Sequence, residues 1–262
     1  MKLSISNIAW SKEYDYEMYE YLEKEKFEGL EIAPTRIFEE RPYEDLDKAK
    51  LFSENLKKNQ NLKVSSMQSI WYGRNEKIFG SKEERAKLIE YTKKAIDFAN
   101  TIRCNNLVFG CPKNRVTNSK QDEEIALDFF YELGEYAEDK GTVLSMEPNP
   151  VIYNTNFINY TIEAFEFVKK VNSKGLKVNV DLGTIIYNKE DLNVISDNIN
   201  LVNHVHISEP NLALIQKRDL HIKLASILKE KEYNNYVSIE MGKCDSLHEV
   251  KESIKYINEV FK

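Results

Sequence analysis

Eight short apolar runs recur along the chain, each followed by a longer charged stretch whose apolar residues fall three and four apart. That alternation, with a period of roughly 30 residues, is the pattern of strands interleaved with amphipathic helices. Strands are expected at 3–9, 28–33, 62–68, 105–110, 142–147, 176–181, 202–208 and 236–240. Helices are expected over Glu13–Lys26, Tyr43–Asn59, Glu83–Asn100, Asp122–Lys140, Thr161–Val171, Lys189–Ile199, Asp219–Lys231 and Ser246–Phe261. In the third of these, Leu88, Tyr91, Ala95, Ile96 and Ala99 share one face, while Lys87, Glu90, Lys93 and Lys94 take the other. Eight such units without a Pro/Gly/Ser-rich linker predict a single (β/α)8 TIM-barrel domain over residues 1–262, an α/β fold closed by a parallel sheet. A doubly wound sheet would normally carry a glycine-rich phosphate turn after an early strand, and neither GxGxxG nor GxxxxGK[ST] occurs.

Composition removes several function classes. With 42% hydrophobic and 31% charged residues among 262, the chain can bury a large core, which excludes a disordered protein. Thirty-seven basic against 43 acidic residues leave a net charge of −6, the wrong sign for tracking a phosphate backbone, so no nucleic-acid partner is expected. No run reaches the ~18 apolar residues of a membrane span, and MKLSISNIAW lacks the layout of a secretory leader. A cytoplasmic protein with no membrane association is therefore expected. Cys104, Cys111 and Cys244 are odd in number and lack CxxC spacing, which speaks against a disulfide framework or a cysteine zinc site.

Side chains alternate along a strand, so in a barrel one parity meets the helices and must be apolar while the other points inward. Val205 and Ile207 take the apolar parity of the seventh run, leaving His204, His206 and Ser208 inward. The same rule turns Asn179 and Asp181, Ser238 and Glu240, and Ser145 and Glu147 inward. Four consecutive strands thus offer Glu147, Asp181, His206 and Glu240 at or near the C-terminal end, where barrel enzymes keep their chemistry. Singly, a strand-end acid commonly caps a helix or pairs with a basic residue. Together, three carboxylates in one mouth need a neutralising partner, because an unpaired buried charge costs several kcal/mol. Three carboxylates and an imidazole suit one divalent metal ion, with Mn²⁺, Mg²⁺ or Co²⁺ favoured over Zn²⁺.

Other candidates surround this set. Lys113 and Arg115 in GCPKNR could hold an anionic group after strand four, or belong to an ordinary solvated loop. Trp10, Gln68 and Trp71 end strands one and three, where they could grip a sugar ring or simply pack. Glu209 could hold a ligand hydroxyl or cap a turn, and Asn149 and Asn179 could orient metal-binding groups. His204 lies one layer below His206 and is expected to support it. Glu31 is expected to pair with nearby Arg36, and His221 and His248 to lie on helix surfaces.

Glu147 in SMEPNP, Asp181 in VNVDLG, His206 in HVHISEP and Glu240 in VSIEM occur in order at spacings of 34, 25 and 34 residues. In these four positions the chain resembles the xylose-isomerase-like barrel superfamily, in its sugar-phosphate isomerase/epimerase branch. The resemblance spans nearly the whole chain. In that superfamily's ketose 3-epimerases the corresponding Glu, Asp, His and Glu bind one divalent metal, and the two glutamates exchange the substrate proton. It therefore implies catalytic roles for Glu147 and Glu240, a small carbohydrate substrate, and an enediolate intermediate from which epimerisation or isomerisation follows. Barrels of this kind often form dimers or tetramers, which leaves a homo-oligomer open. The sugar-contacting positions depart from the pattern: Thr184, Leu212 and Tyr153 stand where those enzymes carry His, Arg and Glu. The alternatives within the superfamily are an inosose- or dehydroshikimate-dehydratase-like lyase and an endonuclease IV-like phosphodiesterase. A non-catalytic sugar-binding barrel is the alternative from another class.

Overall fold

Each predicted apolar run contributes one parallel strand in this computed structural model, which describes residues 1–262. The strands are β1 (Lys2–Ser6), β2 (Gly29–Ile32), β3 (Lys63–Met67), β4 (Leu107–Phe109), β5 (Leu144–Met146), β6 (Leu176–Asp181), β7 (Val202–Ile207) and β8 (Tyr236–Ile239). Every strand pairs with its sequence neighbour and β8 returns to β1, so the sheet closes into a TIM barrel. Closure removes the free edges that an open parallel sheet would have to protect. The main surrounding helices are α1 (Asp15–Lys24), α3 (Leu46–Gln60), α4 (Lys82–Thr101), α5 (Asp122–Asp139), α6 (Thr161–Val171), α9 (Asp219–Glu230) and α10 (Leu247–Phe261). Three short ones complete the set: α2 (Pro34–Ile37), α7 (Leu182–Asn188) and α8 (Asn193–Ser196).

Local chemistry fixes the ends. Helix α4 opens on a capping box in which Ser81 Oγ accepts from the Glu84 amide at 3.2 Å and the Glu84 carboxylate accepts from the Ser81 amide at 2.9 Å. Its face of Leu88, Ala95, Ile96 and Ala99 is fully buried against the barrel. Each large member of such a face contributes roughly 1.5–3 kcal/mol. Helix α3 starts later than expected, after the Asp45 cap, because Tyr43 is buried and donates its hydroxyl to the Ile70 carbonyl at 2.8 Å. The unit after β6 also differs from expectation. Asp181 accepts from the Thr184 amide at 2.7 Å and starts α7 at once, while the expected Lys189–Ile199 helix is reduced to the single turn α8.

The barrel interior is polar, against the branched apolar layers usual in this fold. Ser4, Ser6, Glu31, Ser66, Asn106, Ser145, Asn179, His204, His206 and Ser238 are all buried. Many are linked by hydrogen bonds, including Gln68 Nε2 to Ser6 Oγ at 2.7 Å and Asn106 Nδ2 to Ser66 Oγ at 2.9 Å. A register shift between Val178 and Asn179 sets Asn179 beside His204 and Asp181 beside His206 on the inner wall. Low in the barrel only glycine fits at position 29, since a Cβ there would come 2.6 Å from Ser65 Cβ and 2.9 Å from Ser4 Cβ.

Candidate metal centre at the barrel mouth

The four residues picked out by strand parity meet. Glu147 follows β5, Asp181 ends β6, His206 lies in β7 and Glu240 follows β8. Each offers one ligating atom, and those atoms lie within 4.8 Å of one another. Each of the three acidic residues is at most 9% exposed and His206 is fully buried. His206 Nδ1 is 2.9 Å from Glu147 Oε1 and 3.1 Å from Glu240 Oε2. Asn179 Nδ2 donates to Glu147 Oε1 at 2.7 Å, and Asn149 Nδ2 donates to Glu147 Oε2 at 3.0 Å, so both predicted amides orient that carboxylate. The backbone leaves room for it, because a Cβ on Gly110 would lie 2.6 Å from Glu147 Oε2.

The electrostatics follow from this crowding. Burial, reinforced by the charges of Glu147 and Asp181, outweighs the attraction of His206 and pushes the Glu240 carboxyl up to about 7. Burial and the Glu147 charge also raise Asp181, against hydrogen bonds from Ser208 and Thr184 and the charge of His206. Burial opposes the charge on His206, but Glu240, Glu31 and the bond to Glu147 hold its pKa well above the ordinary imidazole value. Three acids thus crowd around one imidazole. Three carboxylate oxygens and one nitrogen form a hard donor set, which a divalent cation of the Mg²⁺ or Mn²⁺ type would fit.

A layer of buried contacts supports His206 from below. His206 Nε2 is 3.0 Å from Glu31 Oε2, and His204 Nε2 is 3.1 Å from the same oxygen. Glu31 is fully buried and does not pair with Arg36, which instead grips Asp15 at 2.6 and 3.1 Å. The reason is parity: Leu30 and Ile32 face the helices, so Glu31 points into the barrel. Burial opposes its charge, but His206 and His204 more than offset this and hold its carboxyl well below the usual range. By accepting the Nε2 proton, Glu31 leaves Nδ1 as the nitrogen aimed at the mouth. Burial lowers His204, against the pull of Glu31, so His204 supports the layer as a neutral ring.

Other expected residues are placed differently. Arg115 is fully buried and donates to the Glu147 carbonyl at 2.8 Å and to Asn149 Oδ1 at 2.7 Å. It therefore braces the β5 loop instead of forming an anion grip with Lys113, which remains exposed. Trp71 donates to Thr92 and packs edge-on against Phe109 at 4.7 Å, outside the barrel. Trp10 donates to Asp15 at 2.9 Å and is likewise buried, so the aromatic faces of the two tryptophans belong to packing. Glu209 borders the mouth, but its carboxylate is taken by Arg218 through contacts of 2.7 and 2.6 Å. His221 is buried against Tyr256, whereas His248 is exposed as expected.

Gln68, Glu147, Asn149, Tyr153, Asp181 and Glu240 help to enclose a cavity of about 200 Å³ at the centre. Leu212 borders it as well, and the Tyr153 hydroxyl accepts from the Asn211 amide at 2.9 Å. No helix is long and apolar enough to cross a membrane.

No curated protein matches the sequence. Among solved structures, the chain is similar to the 3-keto-D-glucoside 4-epimerase of E. coli in its apo form, with 19% identity, 99% of each chain covered and a TM-score of 0.80. It is also similar to the D-psicose 3-epimerase of Clostridium cellulolyticum H10 with D-tagatose, with 16% identity, complete coverage of both chains and a TM-score of 0.77. A probable 3-DHS dehydratase of Bacillus anthracis shares the fold at 15% identity and a TM-score of 0.71, with 97% of this chain and 98% of that one covered. At such identities the likeness is one of fold. The sequence itself matches the xylose isomerase-like TIM barrel family over residues 19–260, and the protein is a member of that family.

Proposed function

We propose that the protein is a divalent-metal-dependent isomerase or epimerase of sugars or sugar derivatives, with Glu147, Asp181, His206 and Glu240 holding the metal. The observation that carries this reading is the convergence of those four donors, within 4.8 Å, in a cavity at the C-terminal end of the barrel. When bound, the cation would neutralise the crowded acids and polarise a ketone and its neighbouring hydroxyl, which lowers the cost of an enediolate.

The chain's own groups supply the proton transfers. A substrate carbon between Glu147 and Glu240 would lose its proton to one carboxylate and regain one from the other. Return to the opposite face of the same carbon gives epimerisation, and return to the adjacent carbon gives isomerisation. Asn179 and Asn149 hold Glu147 in one orientation, which keeps it aimed during transfer.

The test is exchange of substrate C–H protons in D₂O, followed by NMR, with Mn²⁺ and a panel of free and phosphorylated ketoses. Exchange and a rearranged sugar are expected from the wild type, and both should be lost in Glu147→Gln and Glu240→Gln. Exchange undiminished in both variants would remove the proposed proton carriers. Net loss of water would instead make the protein a lyase, a fold relative of which is the probable dehydratase above.

A further inference from the structure

A cavity of about 200 Å³ has room for little more than one small sugar unit, being below the ~300–1,000 Å³ that hold larger ligands. It is not closed at the rim. Ser69, which borders it, also borders a trench of about 830 Å³ between the loops that follow β2 and β3. The trench floor includes Ile8 and Ala33 at the ends of β1 and β2. Its wall carries Tyr72, a residue 71% exposed beside Gly73, where a Cβ would meet nothing within 4 Å. Tyr72 therefore offers an aromatic face to a ligand lying in the trench.

The charges along the trench narrow the ligand. Each of its four cations already has an acid. Arg36 holds Asp15 at 2.6 Å, Arg41 and Lys94 reach Glu44 at 3.2 and 3.7 Å, and Arg74 pairs with Glu76. A phosphate or sulfate there would have to compete with these carboxylates for the same donors. A wall of paired ions, hydrogen-bonding side chains and one exposed aromatic face suits a neutral polyhydroxylated ring, with its C–H face on Tyr72 and its hydroxyls on the polar groups.

Building on the function proposed above, we infer that the substrate has two parts: a keto-sugar unit at the four-residue centre, glycosidically joined to a second neutral sugar ring lying in the Tyr72 trench. Tyr72 sets specificity through the second ring and takes no part in proton transfer.

The experiment compares D-fructose with isomaltulose and lactulose, neutral two-ring ketoses with a free ketone, and with fructose 6-phosphate as the anionic control. C–H exchange in D₂O is followed with Mn²⁺ for the wild type, Tyr72→Ala and Tyr72→Phe. At least one disaccharide should exceed D-fructose about tenfold in kcat/KM. Tyr72→Ala should bring that ratio close to one by raising the disaccharide KM, and Tyr72→Phe should keep it. A purely structural Tyr72 would lower all substrates together and leave the ratio unchanged, which overturns the inference. So does preference for fructose 6-phosphate or for D-fructose itself. If no ketose exchanges, the function above fails, and saturation-transfer NMR on Mg²⁺-loaded protein tests the trench alone. Transfer to the second ring of isomaltulose or lactulose that disappears in Tyr72→Ala sustains it, and none in the wild type refutes it.

Discussion

Replacing Glu31 by Gln probes whether the deep carboxylate governs what happens at the mouth. Glu31 Oε2 serves both His206 and His204, while Oε1 is buried without a hydrogen-bond partner. The amide oxygen of the variant can keep the Oε2 position, but its NH₂ group then takes the buried Oε1 position, where no partner stands. Losing a charge-assisted bond costs about 1.5–3 kcal/mol, and an unpaired buried amide adds about 1–3 kcal/mol. A stability loss of roughly 2.5–6 kcal/mol is therefore expected. The metal effect is separable. With the carboxylate gone, His206 Nδ1 is a weaker base and is less firmly the unprotonated nitrogen. Losses of this kind cost about 10–100-fold in metal affinity, or about 1.4–2.7 kcal/mol. Calorimetric titration with Mn²⁺ near neutral pH measures it, with Leu88→Ala as control. Leu88 is fully buried on α4, away from the mouth, and its truncation costs about 2–5 kcal/mol through a cavity. Leu88→Ala should keep the wild-type Kd, and Glu31→Gln should not. A wild-type Kd in Glu31→Gln would show that the Glu31 contact leaves His206 unaffected.

Two further variants test the surrounding frame. Arg115→Met leaves the Glu147 carbonyl and Asn149 Oδ1 without their donor, so a loss of about 2–4 kcal/mol is expected, read as a lower Tm, together with weaker metal binding. A wild-type Tm and Kd would contradict the bracing role. Burial depresses His221 to about 4, against the Glu209 charge, so the unfolded chain takes up its proton at higher pH than the folded one. Its contribution is complete above the unfolded value near 6.5 and is lost as pH falls toward 4. From pH ~7 to ~5 that amounts to about 2 kcal/mol, which His221→Asn should remove from the pH dependence of urea unfolding. An unaltered slope would contradict this.

The barrel was legible because an alternating pattern survives imprecise boundaries. The expected strand at 105–110 shrinks to Leu107–Phe109, yet its place in the sheet is unchanged. Helix α7 escaped notice because LGTIIYN has a glycine and β-branched residues where a helix former would be looked for, and only the Asp181 cap starts it. At the site, Glu147, Asp181, His206 and Glu240 followed from parity, a local property of each strand. Glu31 obeys the same rule between Leu30 and Ile32, and its closeness in sequence to Arg36 misleads, because Arg36 reaches Asp15 across a turn of the fold. The roles of Arg115, Trp10, Trp71 and His221 depend on which loops and helices cover them. No periodicity records that.

The central claim is a single divalent cation held by three acids and one imidazole, and direct metal binding tests it. Dialysed wild-type protein titrated with Mn²⁺, with free ion followed by electron paramagnetic resonance, should take up one ion per chain. Asp181→Ala and His206→Ala should each abolish that uptake while the chain stays folded by circular dichroism. Saturation at one ion per chain in both folded variants, with the wild-type Kd, would place the metal elsewhere and contradict the account.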